Sequence, residues 1–524
     1  MRITYRLVLT AAALVAATAG GAQAQTPSAL KVVPYADLRN IDPIWTTASV
    51  TNNHAYLIYD VLFALDDQFR AQPQMVESVT TSADGLTHTF KLRPGQKWHD
   101  GAPVTSADCI QSIKRWGQRD DEGKVAFSLT AELSAVDERT FVWKFKERYG
   151  ALFDNLAKGA GLTPFMMPER VAKTDAFTQI TENIGSGPFR FKADEWAPGN
   201  KVVYTKNPDY IPRGEPPSLM AGGKIPKVDR IEWIYIPDGA TAVSALNAGE
   251  VDYVEVPPAD LVPILERNPD VVVKSVNKLG SMVIIRPNQL HPPFNNPKAR
   301  QALMYLTDQD DYMNAIGVPR AYFDRCGSFF YCGTPYESKA GNLPLGGKAN
   351  YEKAKQLMQE AGYKGETVVI LHPTDHPTAG AALLTAENLR KIGVNVQLRA
   401  LDWATLTSLR TNKGAPTEGG WSIFHTRWDG MLSNPLSLTP MGGACDKAWF
   451  GWPCDPEIEK MRVAWSRAPD KDTQKKLIDD MQARMAETVP FINTGGLNQP
   501  AAWRKTLDGV LVSTTMVLWN ISKK

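Results

Sequence analysis

Residues 183–210 read NIGSGPFRFKADEWAPGNKVVYTKNPDY. Gly185, Ser186, Gly187 and Pro188 form a turn, because glycine tolerates positive φ and proline fixes its own. Phe189 and Phe191 then alternate with Arg190 and Lys192, the period of a half-buried strand. Pro198-Gly199-Asn200 makes a second turn, with proline and glycine placed as a type II turn wants them. Val202 and Tyr204 alternate on the return strand. The stretch is a hairpin entered through a glycine turn.

Working outward, residues 228–236 read as a strand, 240–247 as a short helix closed by Gly249, and 251–256 as a strand. Strand, helix and strand with short connections make a βαβ unit, which wants a parallel sheet. Past Lys278 the same alternation repeats. Strand character recurs at 282–285, 367–371, 394–401 and 421–425, with helices at 349–361 and 378–392 stopped by Gly362 and Gly393. Asp402 caps a further helix. The fold class expected is therefore α/β with a second lobe of about 200 residues, an ordinary domain size. Nearer the N-terminus, residues 30–35 read as a strand and 52–63 as a helix. Alternating strands and turns follow to residue 145. Thr105 and Asp108 open a helix as a capping box.

Residues 1–24 read as a secretory signal: Arg2 and Arg6, an apolar run at 7–19, then Ala22-Gln23-Ala24 as a small-x-small cleavage site. The run is shorter than the ~20 residues that span a bilayer. The expected chain is exported and soluble, beginning near Gln25. The full chain has 58 basic and 56 acidic residues, and removing Arg2 and Arg6 leaves the two signs equal. That balance argues against nucleic acid or an anionic membrane surface as the main partner. In an oxidising compartment Cys326 with Cys332, and Cys445 with Cys454, read as two local disulfides, each contributing roughly 2–3 kcal/mol. A four-cysteine zinc site is the rival, but neither pair has the spacing of a ribbon or knuckle. Cys109 shares a helical face with Ile110, Ile113 and Trp116 and reads as a buried free thiol.

Four separated runs carry a resemblance. They are the L-R-x-G-x-x-W-x-D-G-x-P-x-T-x-x-D run from Leu92 through Trp98 and Asp100 to Asp108, and the G-S-G-P-F hairpin ending in K-N-P-x-Y. The others are A-L-x-x-G-E-V-D at residues 245–252, and R-x-A-L-x-x-x-x-D from Arg300 to Asp308. In this order and spacing the chain resembles the large periplasmic solute-binding proteins of the peptide, opine and nickel class of ABC importers, extracellular solute-binding family 5. The resemblance implies two lobes with a ligand cleft between them: residues 25–278 as the first lobe, with an inserted subdomain at about 67–182, 279–490 as the second, and 491–524 returning to the first. It also implies a monomeric receptor that captures a small organic solute, peptide-like, opine or amide. Hinged closure would precede delivery to permease subunits in the inner membrane, with no catalysis and no cofactor.

In peptide-binding relatives the loop after the strand ending at Leu371 faces the cleft and can carry an arginine for the ligand carboxylate. Here it holds His372, Asp375 and His376 and no arginine. A tryptophan at a strand end is followed in those relatives by an aspartate for the ligand amine. Trp428 stands at the tryptophan position, and on an ungapped reading the amine position falls on Met431, with Asp429 two residues early. Trp45 and Trp428 are stacking candidates by the same likeness, and Trp403, inside its capped helix, stands between core and site. Aromatic walls with a few polar groups suit an organic solute.

Two other readings compete. His372, Asp375 and His376 could serve a secreted metal-dependent hydrolase, although Pro373 and Pro377 forbid the regular helix that would put the histidines on one face. A metal-chelate or haem receptor of the same fold is the third. There is no G-x-S-x-G, H-E-x-x-H or P-loop, and His99, beside Asp100-Gly101, reads as a turn residue.

Overall fold

A computed structural model of the chain describes residues 28–277, 279–374 and 376–524. The signal read over residues 1–24 and the site candidate Asp375 lie outside the described residues. Among those described, no helix is long and apolar enough to cross a membrane.

Two sheets organise the chain. The first has seven strands in the order Phe189–Phe191, Lys201–Lys206, Arg230–Ile234, Ala29–Val33, Tyr253–Val254, Pro500–Arg504 and Val271–Ser275. Ala29–Val33 runs parallel to both Arg230–Ile234 and Tyr253–Val254. The helix Gly239–Ala248 connects those two neighbours, its N-terminus capped by the Asp238 side chain and its C-terminus ended by a left-handed Gly249. The second sheet has six strands in the order Phe323–Asp324, Ile492–Leu497, Ser281–Pro287, Ile423–Asp429, Val368–Pro373 and Val396–Leu401. Ser281–Pro287 is buried along its whole length, as expected of a central strand covered on both faces. A separate antiparallel sheet, Val76–Thr81, Thr87–Leu92, Thr140–Phe145 and Thr130–Ala135, packs against the helix Ser106–Arg119. That helix begins with the reciprocal Thr105–Asp108 capping box and buries Cys109 as a free thiol. Disulfides join Cys326 to Cys332 and Cys445 to Cys454.

The chain crosses between the two large sheets after Ser275 and again after Leu497. The second crossing falls later than the boundary expected at 491, because Ile492–Leu497 pairs with Ser281–Pro287 before the chain leaves. At the first crossing the Asn277 side chain accepts from the backbone N–H groups of Leu279 and Gly280. Two further boundaries differ from the sequence expectation. The helix read over 52–63 is Ser49–Ile58, buried from Val50 onward, and the apolar residues after it form short strands paired with Phe165–Met166 and Ala71–Pro73. The strand read over 421–425 continues to Asp429.

The segment 185–188, which bends at Gly187 and Pro188 without positive φ at either glycine, is where the sequence signatures meet. The backbone N–H of His99 donates to the Gly185 carbonyl at 2.8 Å, and Gly185 N–H donates back to His99 Nδ1 at 3.3 Å. With Nδ1 accepting, Nε2 carries the proton and donates to the Gly187 carbonyl at 3.2 Å. Burial lowers the His99 pKa to about 4, so the ring holds the turn as a neutral group. Gly199 has φ of +80°, as the third position of a type II turn requires.

A Cβ on Gly185 would sit 1.6 Å from the Ile58 carbonyl oxygen, at the end of the buried helix. Gly185→Ala is expected to destabilise by at least ~1–3 kcal/mol, because backbone rather than a flexible side chain must give way. Gly199→Ala meets no atom within 4 Å and should cost only about 1 kcal/mol of backbone strain. Thermal unfolding of the two variants side by side checks the order.

Candidate functional site

In parallel-stranded sheets, ligands bind outside the carboxyl ends of the strands. Those ends meet here. Tyr35 follows Ala29–Val33 and Glu255 follows Tyr253–Val254 in the first sheet, while Arg427 and Asp429 end Ile423–Asp429 in the second. Together with Ser281, Pro377, Gln499, Thr514 and Met516 they line a cleft of about 470 Å³. It lies where the chain crosses between sheets, since Asn277, Gly280 and Leu497 also line it.

The charged side chains of this cleft are held by neutral groups. Glu255 accepts from the backbone N–H of Tyr35 and from the Asn53 amide, both at 2.8 Å. Arg427 donates to Ser281 Oγ at 2.9 Å and to Gln499 Oε1 at 3.1 Å. Asp429 accepts from the Met431 backbone N–H at 2.9 Å. Burial pushes the Glu255 carboxyl up to about 7, against the lowering effect of its two hydrogen bonds. Burial likewise raises Asp429 to about 6, opposed by the Met431 N–H and by Arg427. The Arg427 guanidinium is lowered by burial, with Asp429 opposing. Tyr35 is 46% exposed on this wall, with its hydroxyl held by the Val50 N–H at 3.2 Å.

Of the residues singled out from sequence, Asp429 lines the cleft, and His376 adjoins the lining residue Pro377. The His376 ring stacks on Trp403 at 3.8 Å between centroids and 12° between planes, and its Nδ1 bonds the Thr378 hydroxyl at 2.9 Å. Trp403 packs on its other contacts against a buried cluster with Leu371, Leu406, Trp421 and Phe424. Trp428 is not among the lining residues. Because the strand continues to Asp429, residues 427 and 429 share one face and 428 takes the other. Trp428 packs edge-on against Trp449 and donates its indole N–H to the Leu432 carbonyl. Met431 lines a smaller, separate cavity with Lys158, Tyr336 and Asn434. Trp45 sits away from both, under the Arg119 guanidinium at 5.2 Å, with Phe177 against the same cation at 5.0 Å.

Sequence reading missed Tyr35, Glu255, Arg427, Gln499 and Thr514. Arg427 had a usable signal, a charge two residues before Asp429 in a run of strand residues. Glu255 had none, since what places it is pairing with a strand more than 200 residues earlier. Among the described residues, no three His, Cys, Asp or Glu side chains are grouped to hold a metal ion.

The model of the bacterial extracellular solute-binding proteins, family 5, matches residues 70–449. A Sinorhizobium fredii protein named as the probable peptide ABC transporter periplasmic-binding protein y4tO is 39% identical over 97% of this chain and 98% of its own. The glutathione-binding protein GsiB of Pectobacterium atrosepticum is 27% identical over 90% of this chain and 89% of its own. Among solved structures, the dipeptide binding protein of Pseudoalteromonas sp. SM9913 in complex with Met-Leu superposes with a TM-score of 0.75. It is 20% identical, covering 95% of this chain and 100% of that one.

Proposed function

The chain belongs to the bacterial extracellular solute-binding proteins of family 5, and on that premise we propose that it is the periplasmic receptor of an ABC importer for a small organic solute, peptide-like, opine or amide. The lobes capture the solute at the cleft lined by Tyr35, Glu255, Arg427, Asp429 and Thr514, close on it, and present it to a membrane permease. The protein acts as a monomer and performs no catalysis. One observation carries the reading: Glu255 from one sheet and Arg427 and Asp429 from the other converge on one space, oriented by neutral partners. Such groups are costly to bury without counter-charges, and a charged solute supplies them. Closure excludes water and strengthens every polar contact inside. The names of the Sinorhizobium and Pectobacterium relatives support peptide-like solutes as the first class to try.

A thermal-shift screen over peptides, opines, amides and sugars tests it. A solute at 100 times its Kd should stabilise the protein by about 2.7 kcal/mol. If none of these solutes shifted the unfolding midpoint, the receptor reading would be wrong.

A further inference from the structure

Resting on the reading of this cleft as the solute site, we propose that it selects solutes with two cationic groups and one carboxylate, Glu255 and Asp429 each taking a cation and Arg427 taking the carboxylate. Among the described residues that line the cleft, these three are the charged side chains, two negative and one positive. None of the three has an oppositely charged side chain within 4 Å among the described residues, and each is instead oriented by the neutral partners already given. Complementing that set takes a solute with one more positive than negative charge. A second observation points to a ligand at the same place. The Thr514 side chain is 2% exposed, lines the cleft, and its Oγ1 has no hydrogen-bond partner among the described residues. Unpartnered buried hydroxyls are uncommon in folded proteins, and a solute donor or acceptor would satisfy this one.

The two carboxylates come from opposite sheets, so a solute bearing both cations bridges the lobes and favours the closed form. The ungapped amine position of peptide-binding relatives holds Met431, which lines another cavity. The cation sites are therefore built from different residues here.

Proton release on solute binding is the signature of this arrangement. Facing Glu255 are Tyr35, Tyr253 and Asn53, and facing Asp429 are Arg427 and Tyr331, with Asp324 also near Tyr331. With folded pKa values near 7 and 6, both acids bind more protons folded than unfolded between about pH 4 and 7. Their contribution to the stability of the ligand-free protein therefore falls as pH rises through that window. Cationic solute has the opposite preference, since it needs both groups ionised. Binding expels protons, and affinity rises over the same range.

Isothermal titration with lysyl-alanine, its uncharged counterpart norleucyl-alanine, and glutamyl-alanine tests this at pH 7.5 and 5.5. Lysyl-alanine should bind at least ~10-fold more tightly than the other two at pH 7.5. The advantage should vanish in Asp429→Asn, which keeps the bond from the Met431 N–H, and in Glu255→Gln, which keeps one of the two bonds that Glu255 accepts, and the lysyl-alanine Kd should rise ~10-fold or more at pH 5.5. Equal or tighter binding of norleucyl-alanine or glutamyl-alanine overturns the solute class and leaves the cleft reading standing. Lysyl-alanine affinity unchanged in Glu255→Gln, Asp429→Asn and Arg427→Ala alike overturns the cleft reading itself. If none of the three dipeptides binds, the inference fails, and the wider screen decides the reading it rests on.

Discussion

Asp42→Ala is expected to cost about 3–5 kcal/mol of folding stability, among the largest single-residue effects in the molecule. Asp42 and Arg115 form a bidentate pair at 3.1 and 2.7 Å, with side chains 0% and 1% exposed. The carboxylate also accepts from the backbone N–H groups of Ile44 and Ile180, both at 3.0 Å. Arg115 donates further to the Thr174 and Thr178 carbonyls. One ion pair thus joins the loop before the buried helix Ser49–Ile58 to the helix Ser106–Arg119 and to the chain leading into the glycine turn. Removing the carboxylate strands a buried guanidinium and two buried N–H groups, and the uncompensated charge dominates the loss. Asp121→Ala is the control, since Asp121 pairs with Lys124 at the surface and is 80% exposed. A pair of that kind contributes about 0–1 kcal/mol. Denaturant unfolding of the two variants should separate them by several kcal/mol. An Asp42→Ala protein within 1 kcal/mol of the parent would show that the pair is not structurally important.

The second large effect is on binding. Arg427→Ala is expected to weaken the solute that the thermal screen identifies by about 2–5 kcal/mol, roughly 30-fold to several thousand-fold. Arg427 has no carboxylate within 4 Å among the described residues and bonds only Ser281 and Gln499 within the site. Its charge is therefore available to a solute anion. Arg427→Lys should recover only part of the loss, because the ammonium lacks the planar fork that grips a carboxylate through two bonds. The unfolding midpoint without solute should move little, since the groups that Arg427 bonds face the water-filled cleft once it is gone. Titration calorimetry on the three proteins gives both affinities and stoichiometry, and equal affinities would remove Arg427 from the site.

The fold was far more legible than the site, for a physical reason. Turns and periodic strands are local. Pro198-Gly199, the Thr105–Asp108 capping box and the Gly249 stop each act within a few residues, and each is found in the structure as read, whereas Gly185 and Gly187 have no positive φ and are required instead by the close approach of the Ile58 backbone. Even His99 was legible as a turn residue, although the turn it holds is at 185–187 as well as beside it. The site depends on which strand ends meet. Glu255 reaches the cleft because Tyr253–Val254 pairs with Ala29–Val33, and no local pattern records that pairing. Where the sequence reading went astray on geometry, the cause was a strand end. Stopping the strand at 425 left Trp428 on a loop free to face a solute. Continuing it to Asp429 imposes alternation, which turns Arg427 and Asp429 one way and Trp428 the other. Trp45 and Trp428 were stacking candidates by family likeness at positions after loop breaks. Trp45 is held under Arg119, and Trp428 against Trp449.

The most direct measurement is a crystal structure of the protein with the solute that stabilises it most. The account predicts solute density between the two sheets, within hydrogen-bond distance of Arg427 and of at least one of Glu255 and Asp429, with the Thr514 hydroxyl engaged. Solute bound elsewhere, for example in the cavity lined by Lys158, Tyr336 and Met431, with Glu255, Arg427 and Asp429 untouched, would contradict it.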